Sequence, residues 1–277
     1  GKLTWFRTGG KSKLFIIVEN ENELEVILNE IKDSNFYVIG SGSNVLIRDK
    51  GFSGTIIKLG KEFNKIKIDN NKLQVGASLY DMQLANFAMN NSIQDFEFYS
   101  GIPGTVGGAI KMNAGCYGHE TKDILEQVEL INIRGEKITI KKNNLNLDYR
   151  TSNIKSDQII TSVNFNLKFG DKEQIREKII SIKKNRSNSQ PIQEKTSGST
   201  FKNPKNQFAA KLIEESGCKE MSIGNASISK KHANFIINNG HATAAEIEKL
   251  GNEVIEKVYN KFNIILNWEI KIIGDKN

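Results

Sequence analysis

Residues 100–118, Ser-Gly-Ile-Pro-Gly-Thr-Val-Gly-Gly-Ala-Ile-Lys-Met-Asn-Ala-Gly-Cys-Tyr-Gly, hold six glycines and one proline. Glycine loses more conformational freedom on folding than any other residue. Such a run therefore stays ordered only where the backbone must bend sharply or lie close against something. A shorter run, Ile39-Gly40-Ser41-Gly42-Ser43-Asn44-Val45-Leu46-Ile47, directly follows the strand-like Phe36-Tyr37-Val38-Ile39. Successive exposed N–H groups in such loops form a concavity suited to phosphate oxygens. Neither run is a standard phosphate motif. Val45 stands where G-x-G-x-x-G needs its last glycine, and Gly107-Gly108-Ala109 does not continue into Gly-Lys-Ser/Thr. Alone, each is equally a tight turn. Together they suit a dinucleotide, with its diphosphate on backbone donors and its ring against small residues.

Around these loops the first part of the chain reads as strand-rich α+β. Leu24, Ile27, Leu28 and Ile31 recur at helical spacing and predict a helix over about residues 21–33. Thr55–Leu59, Ile66–Ile68, Leu73–Val75, Val128–Ile133, Lys137–Ile140 and Ile159–Leu167 read as strands. Ser78 is placed to cap a helix through Asn90, with Met82, Ala85 and Met89 on one face. After about residue 170 the pattern turns helical. Ile175, Ile179 and Ile182 mark a helix over residues 171–186, and the polar stretch Arg186–Thr196 reads as a linker. A short helix with Phe208, Ala209, Leu212 and Ile213 stops near Gly217. A long one over residues 243–262 turns Ile247, Leu250, Val254, Val258 and Phe262 inward, and a strand over Ile264–Ile273 follows.

Composition removes several classes of function. Cys116 and Cys218 are too few for a disulfide framework. His119, His232 and His241 have no ligand spacing, so no metal is expected. The net charge of +7 is spread along the chain rather than gathered in a stripe, which permits phosphate ligands but does not point to nucleic acid. No apolar run approaches the ~18 residues of a membrane span, and the first residues lack a secretory layout. A cytoplasmic location is expected.

In order along the chain, the motifs resemble those of the UDP-N-acetylenolpyruvoylglucosamine reductases. Phe6-Arg7-Thr8-Gly9-Gly10 is similar to that family's N-terminal flavin-contacting segment, and the runs 40–47 and 100–118 to its two FAD loops. Leu147-Asp148-Tyr149-Arg150-Thr151-Ser152, Gly198-Ser199-Thr200-Phe201-Lys202-Asn203-Pro204 and Asn267-Trp268-Glu269-Ile270-Lys271-Ile272-Ile273-Gly274 resemble its three catalytic segments. Thr200 and Trp268 fall where the family varies. The resemblance implies an α+β fold: an FAD-binding domain of the vanillyl-alcohol-oxidase type over residues 1–170, in subdomains of about 1–62 and 63–170. A smaller α+β substrate-binding domain over residues 171–277 follows. The short connection from Phe169 to Gln193 resembles the type II subclass.

The implied chemistry is reduction of FAD by NADPH, then hydride transfer to C3 of the enolpyruvyl ether, with charge developing at C2 and in the carboxylate. The resemblance makes Ser199 the proton donor to C2, Arg150 the carboxylate binder and Glu269 an acid toward that carboxylate. Taken without it, Ser199 is equally a loop hydroxyl, Arg150 a surface cation, and Glu269 a strand residue facing solvent. The implied FAD contacts are Thr8, Gly9, Gly10, Ile39, Gly40, Ser41, Gly42, Ser43, Asn44, Val45, Ser100, Gly101, Ile102, Pro103, Gly104, Val106, Gly107, Gly108, Asn113 and Gly115. Tyr149, Arg150, Lys202 and Asn203 are the implied substrate contacts. Ser197 is the nearby hydroxyl not assigned to catalysis, His232 a structural hydrogen-bonder, and Cys116 a small filler of the flavin loop. Expected partners are a UDP-sugar and NADPH, and the expected state is a monomer. Another FAD oxidase would not require the Arg150, Ser199 and Glu269 trio. A non-enzymatic nucleotide-binding protein would take up no flavin.

Overall fold

The computed structural model describes residues 1–31, 34–69 and 71–276 and has the mixed helix and sheet content expected of an α+β protein. The chain opens with β1 (Ser12–Val18), α1 (Glu21–Ile31), β2 (Phe36–Val38), β3 (Val45–Ile47) and β4 (Phe52–Leu59). It continues through β5 (Ile66–Asp69), β6 (Lys72–Gly76), α2 (Asp81–Asn90) and α3 (Val106–Lys111). Next come β7 (Gly115–Cys116), β8 (His119–Glu120), α4 (Thr121–Ile124), β9 (Leu125–Asn132), β10 (Lys137–Lys141) and β11 (Gln158–Asn166). The last third holds α5 (Lys172–Ser189), α6 (Ala209–Glu215), β12 (Ser222–Ile223), β13 (Ala226–Ile228) and β14 (Ile236–Asn238). It ends with α7 (Ala244–Phe262) and β15 (Lys271–Ile273). No helix among the described residues is long and apolar enough to cross a membrane.

The residues sort into two compact units. The larger comprises Leu14–Ser41 and Gly54–Asn185. Its main sheet runs β10-β9-β11-β6-β5, antiparallel at every pairing. A second sheet, β1-β4-β2, pairs β2 with β4 in parallel. Leu24 and Leu28 of α1, Leu84, Ala85 and Ala88 of α2, and Val128, Val163 and Phe165 of the main sheet share one buried core. Antiparallel strands joined by short turns need one apolar face each, which is why alternation located them well.

The smaller unit comprises Gly1–Lys13, Gly42–Ser53 and Arg186–Asn277. It is discontinuous because β15 pairs in parallel with β3 (Ile272 opposite Leu46), which draws the segment around Leu46 out of the chain's first part. Its core gathers Phe6, Leu46 and Phe201 with Ile247, Leu250, Val254 and Val258 of α7. Thr243 and Glu246 cap α7 reciprocally, satisfying N–H groups that the helix itself cannot.

The structure revises several expectations. By its contacts α5 goes with the larger unit, because its Ile175 and Ile179 are buried in that core. Residues up to Ser189, read as the start of a linker, belong to α5. Ser78 does not cap α2; its hydroxyl donates to the Gly60 carbonyl, and the helix begins after Tyr80. The buried face of α2 is Asp81, Leu84, Ala85 and Ala88; of the residues read as marking a face, Ala85 is buried and Met89 packs against the core, while Met82 is half-buried. The last strand is confined to Lys271–Ile273, since Asn263 ends α7 in the left-handed region (φ 55°) and the chain from there to Glu269 runs irregularly. The expected helix end at Asp33 lies outside the described residues.

Candidate active site

In the larger unit the two glycine runs meet. A Cβ placed on Gly40 would stand 2.4 Å from Thr105 Oγ1, and one on Gly104 would stand 2.6 Å from Asp81 Oδ2. At contacts that short a side chain on either glycine would require Thr105 or Asp81 to move. Gly40 is thereby brought beside Thr105, which ends the loop of Ser100, Gly101, Ile102, Pro103 and Gly104. That loop feeds α3, which carries Val106, Gly107 and Gly108. Two buried polar side chains here, Asp81 and Ser100, have no hydrogen-bond partner among the described residues. A cradle of close-packed backbone with unsatisfied buried polar atoms fits a large polar cofactor such as FAD.

Arg150 belongs to the same unit. Its turn is closed by the reciprocal backbone pair Asp148–Thr151 and by the Tyr149 N–H donating to Asp148 Oδ1 at 2.7 Å. The turn is tied to the glycine-rich segment at two points. Asn113 Nδ2 donates to the Asp148 carbonyl at 3.2 Å, and Ser152 Oγ to the Lys111 carbonyl at 2.8 Å. The Arg150 guanidinium then donates to the Gly115 carbonyl at 2.9 Å and lies 5.0 Å from the centroid of the Tyr149 ring. Arg150, Tyr149, Asn113 and Gly115 are thus one local arrangement. Cys116 Sγ is directed at the Phe98 carbonyl, 3.2 Å away.

The smaller unit brings the segments that carry Ser199 and Glu269 together. The Glu269 N–H donates to the Thr200 carbonyl at 2.9 Å, and Phe201 bridges to Trp268. Ser199 is half-buried, whereas Ser197 is only 2% exposed and its hydroxyl has no partner among the described residues. Accessibility therefore favours Ser199 as the hydroxyl that can meet a ligand. Glu269 is half-buried too, not an acid sealed inside a regular strand. Its backbone carbonyl accepts from Asn44 Nδ2 at 3.1 Å, which joins it to the Gly42, Ser43, Asn44 and Val45 end of the shorter glycine run. Lys202 and Lys271 lie near it: burial lowers the Lys271 ammonium pKa, Lys202 lowers it further, and Glu269 opposes both. Lys271 was not singled out from the sequence, although it lies two residues from Glu269.

Thr8, Gly9 and Gly10 fall in this unit as well. Thr8 Oγ1 donates to the Ala242 carbonyl at 2.6 Å, and Gly10 N–H to Arg48 at 3.0 Å. The Asn203 side-chain oxygen accepts from the Ala209 N–H at 2.9 Å, so this expected substrate contact also holds the start of α6. His232 Nδ1 accepts from the Asn234 N–H at 3.3 Å and its ring meets Phe235 edge-on; burial lowers its pKa.

Two asparagines that sequence reasoning did not assign organise this half of the site. Asn238 Nδ2 donates to the Phe6 carbonyl at 2.8 Å. Asn234 grips the backbone of Phe201 twice, accepting its N–H at 2.9 Å and donating to its carbonyl at 2.8 Å. Replacing Asn234 with alanine should leave both buried groups unpaired, at about 1–3 kcal/mol each. Urea denaturation measures this; a loss below about 1 kcal/mol would mean that another group replaces the amide.

Comparison with known proteins bears on both halves. A model of the UDP-N-acetylenolpyruvoylglucosamine reductase C-terminal domain matches residues 190–273, and an FAD-binding domain model matches residues 12–141. The reductase of Rickettsia prowazekii is 44% identical over 98% of this chain and 92% of its own length. That of Rickettsia typhi is 43% identical over the same shares. The crystal structure of the Thermus caldophilus reductase superposes with a TM-score of 0.87 at 33% identity, over 98% of this chain and 96% of that one. The chain belongs to the UDP-N-acetylenolpyruvoylglucosamine reductase family of FAD-dependent oxidoreductases.

Proposed function

We propose that this chain reduces UDP-N-acetylenolpyruvoylglucosamine to UDP-N-acetylmuramate, a step of peptidoglycan synthesis, with NADPH as the electron donor. The observation that supports the reading is the backbone hydrogen bond from the Glu269 N–H to the Thr200 carbonyl, which joins the segment that carries Ser199 to the segment that carries Glu269. FAD, when bound, takes two electrons from NADPH and supplies them as a hydride to C3 of the enolpyruvyl group.

The side chains handle what remains. Ser199 gives its proton to C2 and regains one from solvent, so that the enolpyruvyl ether becomes a lactyl ether. A hydroxyl is a weak acid, but the carbanion it meets is a strong base, so transfer requires only fixed geometry. Arg150 holds the substrate carboxylate with its planar fork of donors, and Glu269 acts on the same carboxylate as a hydrogen-bond donor. Tyr149, Lys202 and Asn203 contact the substrate. The glycine runs and residues 8–10 hold FAD. The protein is a cytoplasmic monomer of the type II subclass, with the FAD domain in residues 1–170 and the substrate domain in residues 171–277.

An absorbance spectrum tests this directly. The purified chain should be yellow, bleach with NADPH, and recover its colour when the enolpyruvyl sugar is added without oxygen. Bleaching without recovery would point to another substrate on the same cofactor domain. A protein that takes up no flavin would sink the reading.

A further inference from the structure

Cys116-Tyr117-Gly118-His119 closes a tight hairpin between β7 and β8. Tyr117 (φ 54°) and Gly118 (φ 84°) both lie in the left-handed region, which a two-residue turn of this kind demands. The turn fixes the register, with Gly115 opposite Glu120. A Cβ on Gly115 would stand 2.8 Å from Glu120 Cγ, so the missing side chain is what leaves room for the acid.

The same acid reaches Asn113. The Asn113 side chain is buried, and the chemistry of its neighbours fixes which way its amide points. Its oxygen accepts from the Lys122 N–H at 3.0 Å, and Nδ2 donates to the Asp148 carbonyl at 3.2 Å. Turning the amide over would set donor against donor and acceptor against acceptor. Nδ2 then gives its other hydrogen bond to Glu120 Oε2, 3.2 Å away, an oxygen that also lies 2.7 Å from the Lys122 ammonium.

Arg150 is tied to this hairpin at two points. Asp148, two positions before it, accepts from Asn113, and its own guanidinium donates to the Gly115 carbonyl at 2.9 Å. Glu120 meets both ties: it accepts from Asn113 and faces Gly115 across the strand pair.

We propose that Glu120 is a positioning residue for the substrate half-reaction: by accepting from Asn113 and packing against Gly115, it fixes both points from which Arg150 is held. The inference rests on the proposed role of Arg150 at the substrate carboxylate and adds to it a residue that acts through Arg150. What Glu120 supplies is an acceptor rather than a charge. Without it the buried Asn113 amide loses a partner and tilts, and the turn from Asp148 to Arg150 shifts with it. A misplacement of about 1 Å that starts away from the chemistry costs up to about 100-fold in rate.

The test follows flavin absorbance of the full, flavin-loaded chain by stopped flow. Glu120→Ala should keep its FAD and bleach with NADPH at the wild-type rate, while recovery of colour with saturating enolpyruvyl sugar slows about tenfold. Glu120→Gln keeps an acceptor oxygen at the same reach and should stay within about threefold of wild type. In the Arg150→Lys background Glu120→Ala should slow recovery by less than about twofold more, since the fork it positions is already gone. Recovery at the wild-type rate in Glu120→Ala overturns the inference. So does an equal slowing with and without Arg150→Lys, which would mean that Glu120 acts by another route. Equal damage in Glu120→Gln and Glu120→Ala overturns it too, because the charge would then be what counts. Loss of flavin or of bleaching in Glu120→Ala also overturns it, since the acid would then support the fold at large. A wild-type chain that bleaches but never recovers with the sugar overturns the substrate reading itself, and this inference with it.

Discussion

Replacing Ser199 with alanine should leave bleaching of the bound flavin by NADPH at the wild-type rate. Recovery of colour with the enolpyruvyl sugar should slow by about 10²–10⁴-fold, the range for a positioned proton donor. The substitution removes one oxygen from a half-buried position, and the backbone on either side is fixed independently of it. Thr200 donates to the Asn234 carbonyl at 2.8 Å, and Thr200 Oγ1 accepts from Ile236 at 3.2 Å. The fold should therefore survive, and the loss should be confined to the second half-reaction. Ser197→Ala is the control, since that hydroxyl is buried and unpartnered and should not affect either half. Stopped-flow absorbance separates the two steps. Fast recovery in Ser199→Ala would mean that another group supplies the proton to C2.

How far the sequence foretold this arrangement depended on which force fixed each element. Where one apolar face faces a core, periodicity was enough: Ile175, Ile179 and Ile182 of α5 and Ile247, Leu250, Val254 and Val258 of α7 are all buried as read. Elements fixed by long-range pairing left a weaker trace. β3 lies inside a glycine-rich run and exists because β15, more than two hundred residues on, pairs with it. α3 forms despite Gly107 and Gly108, which are poor helix formers, because Val106, Ala109 and Ile110 are buried against the larger core. The candidate site divides in the same way. The motif residues Arg150, Ser199 and Glu269 could be named from local sequence. Asn238 could not, because its task is to hold the distant backbone of Phe6, and nothing in its neighbours announces it.

Arg150→Lys tests whether charge or shape matters at the proposed carboxylate contact. Arg150 lies in the left-handed region, φ 55°. Lysine meets the same backbone strain there, so the turn should be retained. Lysine also keeps the positive charge, so a purely electrostatic role predicts near wild-type turnover. What it cannot keep is the planar fork: one arm of Arg150 already donates to the Gly115 carbonyl at 2.9 Å, which fixes the plane in which the remaining donors meet a ligand. A point charge on a flexible stem loses both the tether and the paired donors. Hydrogen bonds to charged groups contribute about 1.5–3 kcal/mol, so recovery of colour with the sugar should slow by about 10- to 100-fold. FAD affinity and bleaching by NADPH should stay unchanged, which separates damage at the carboxylate from damage to the flavin loop at Gly115. If recovery in Arg150→Lys matched the wild type, the guanidinium fork would have no part in holding the substrate, and a single positive charge would suffice at this position.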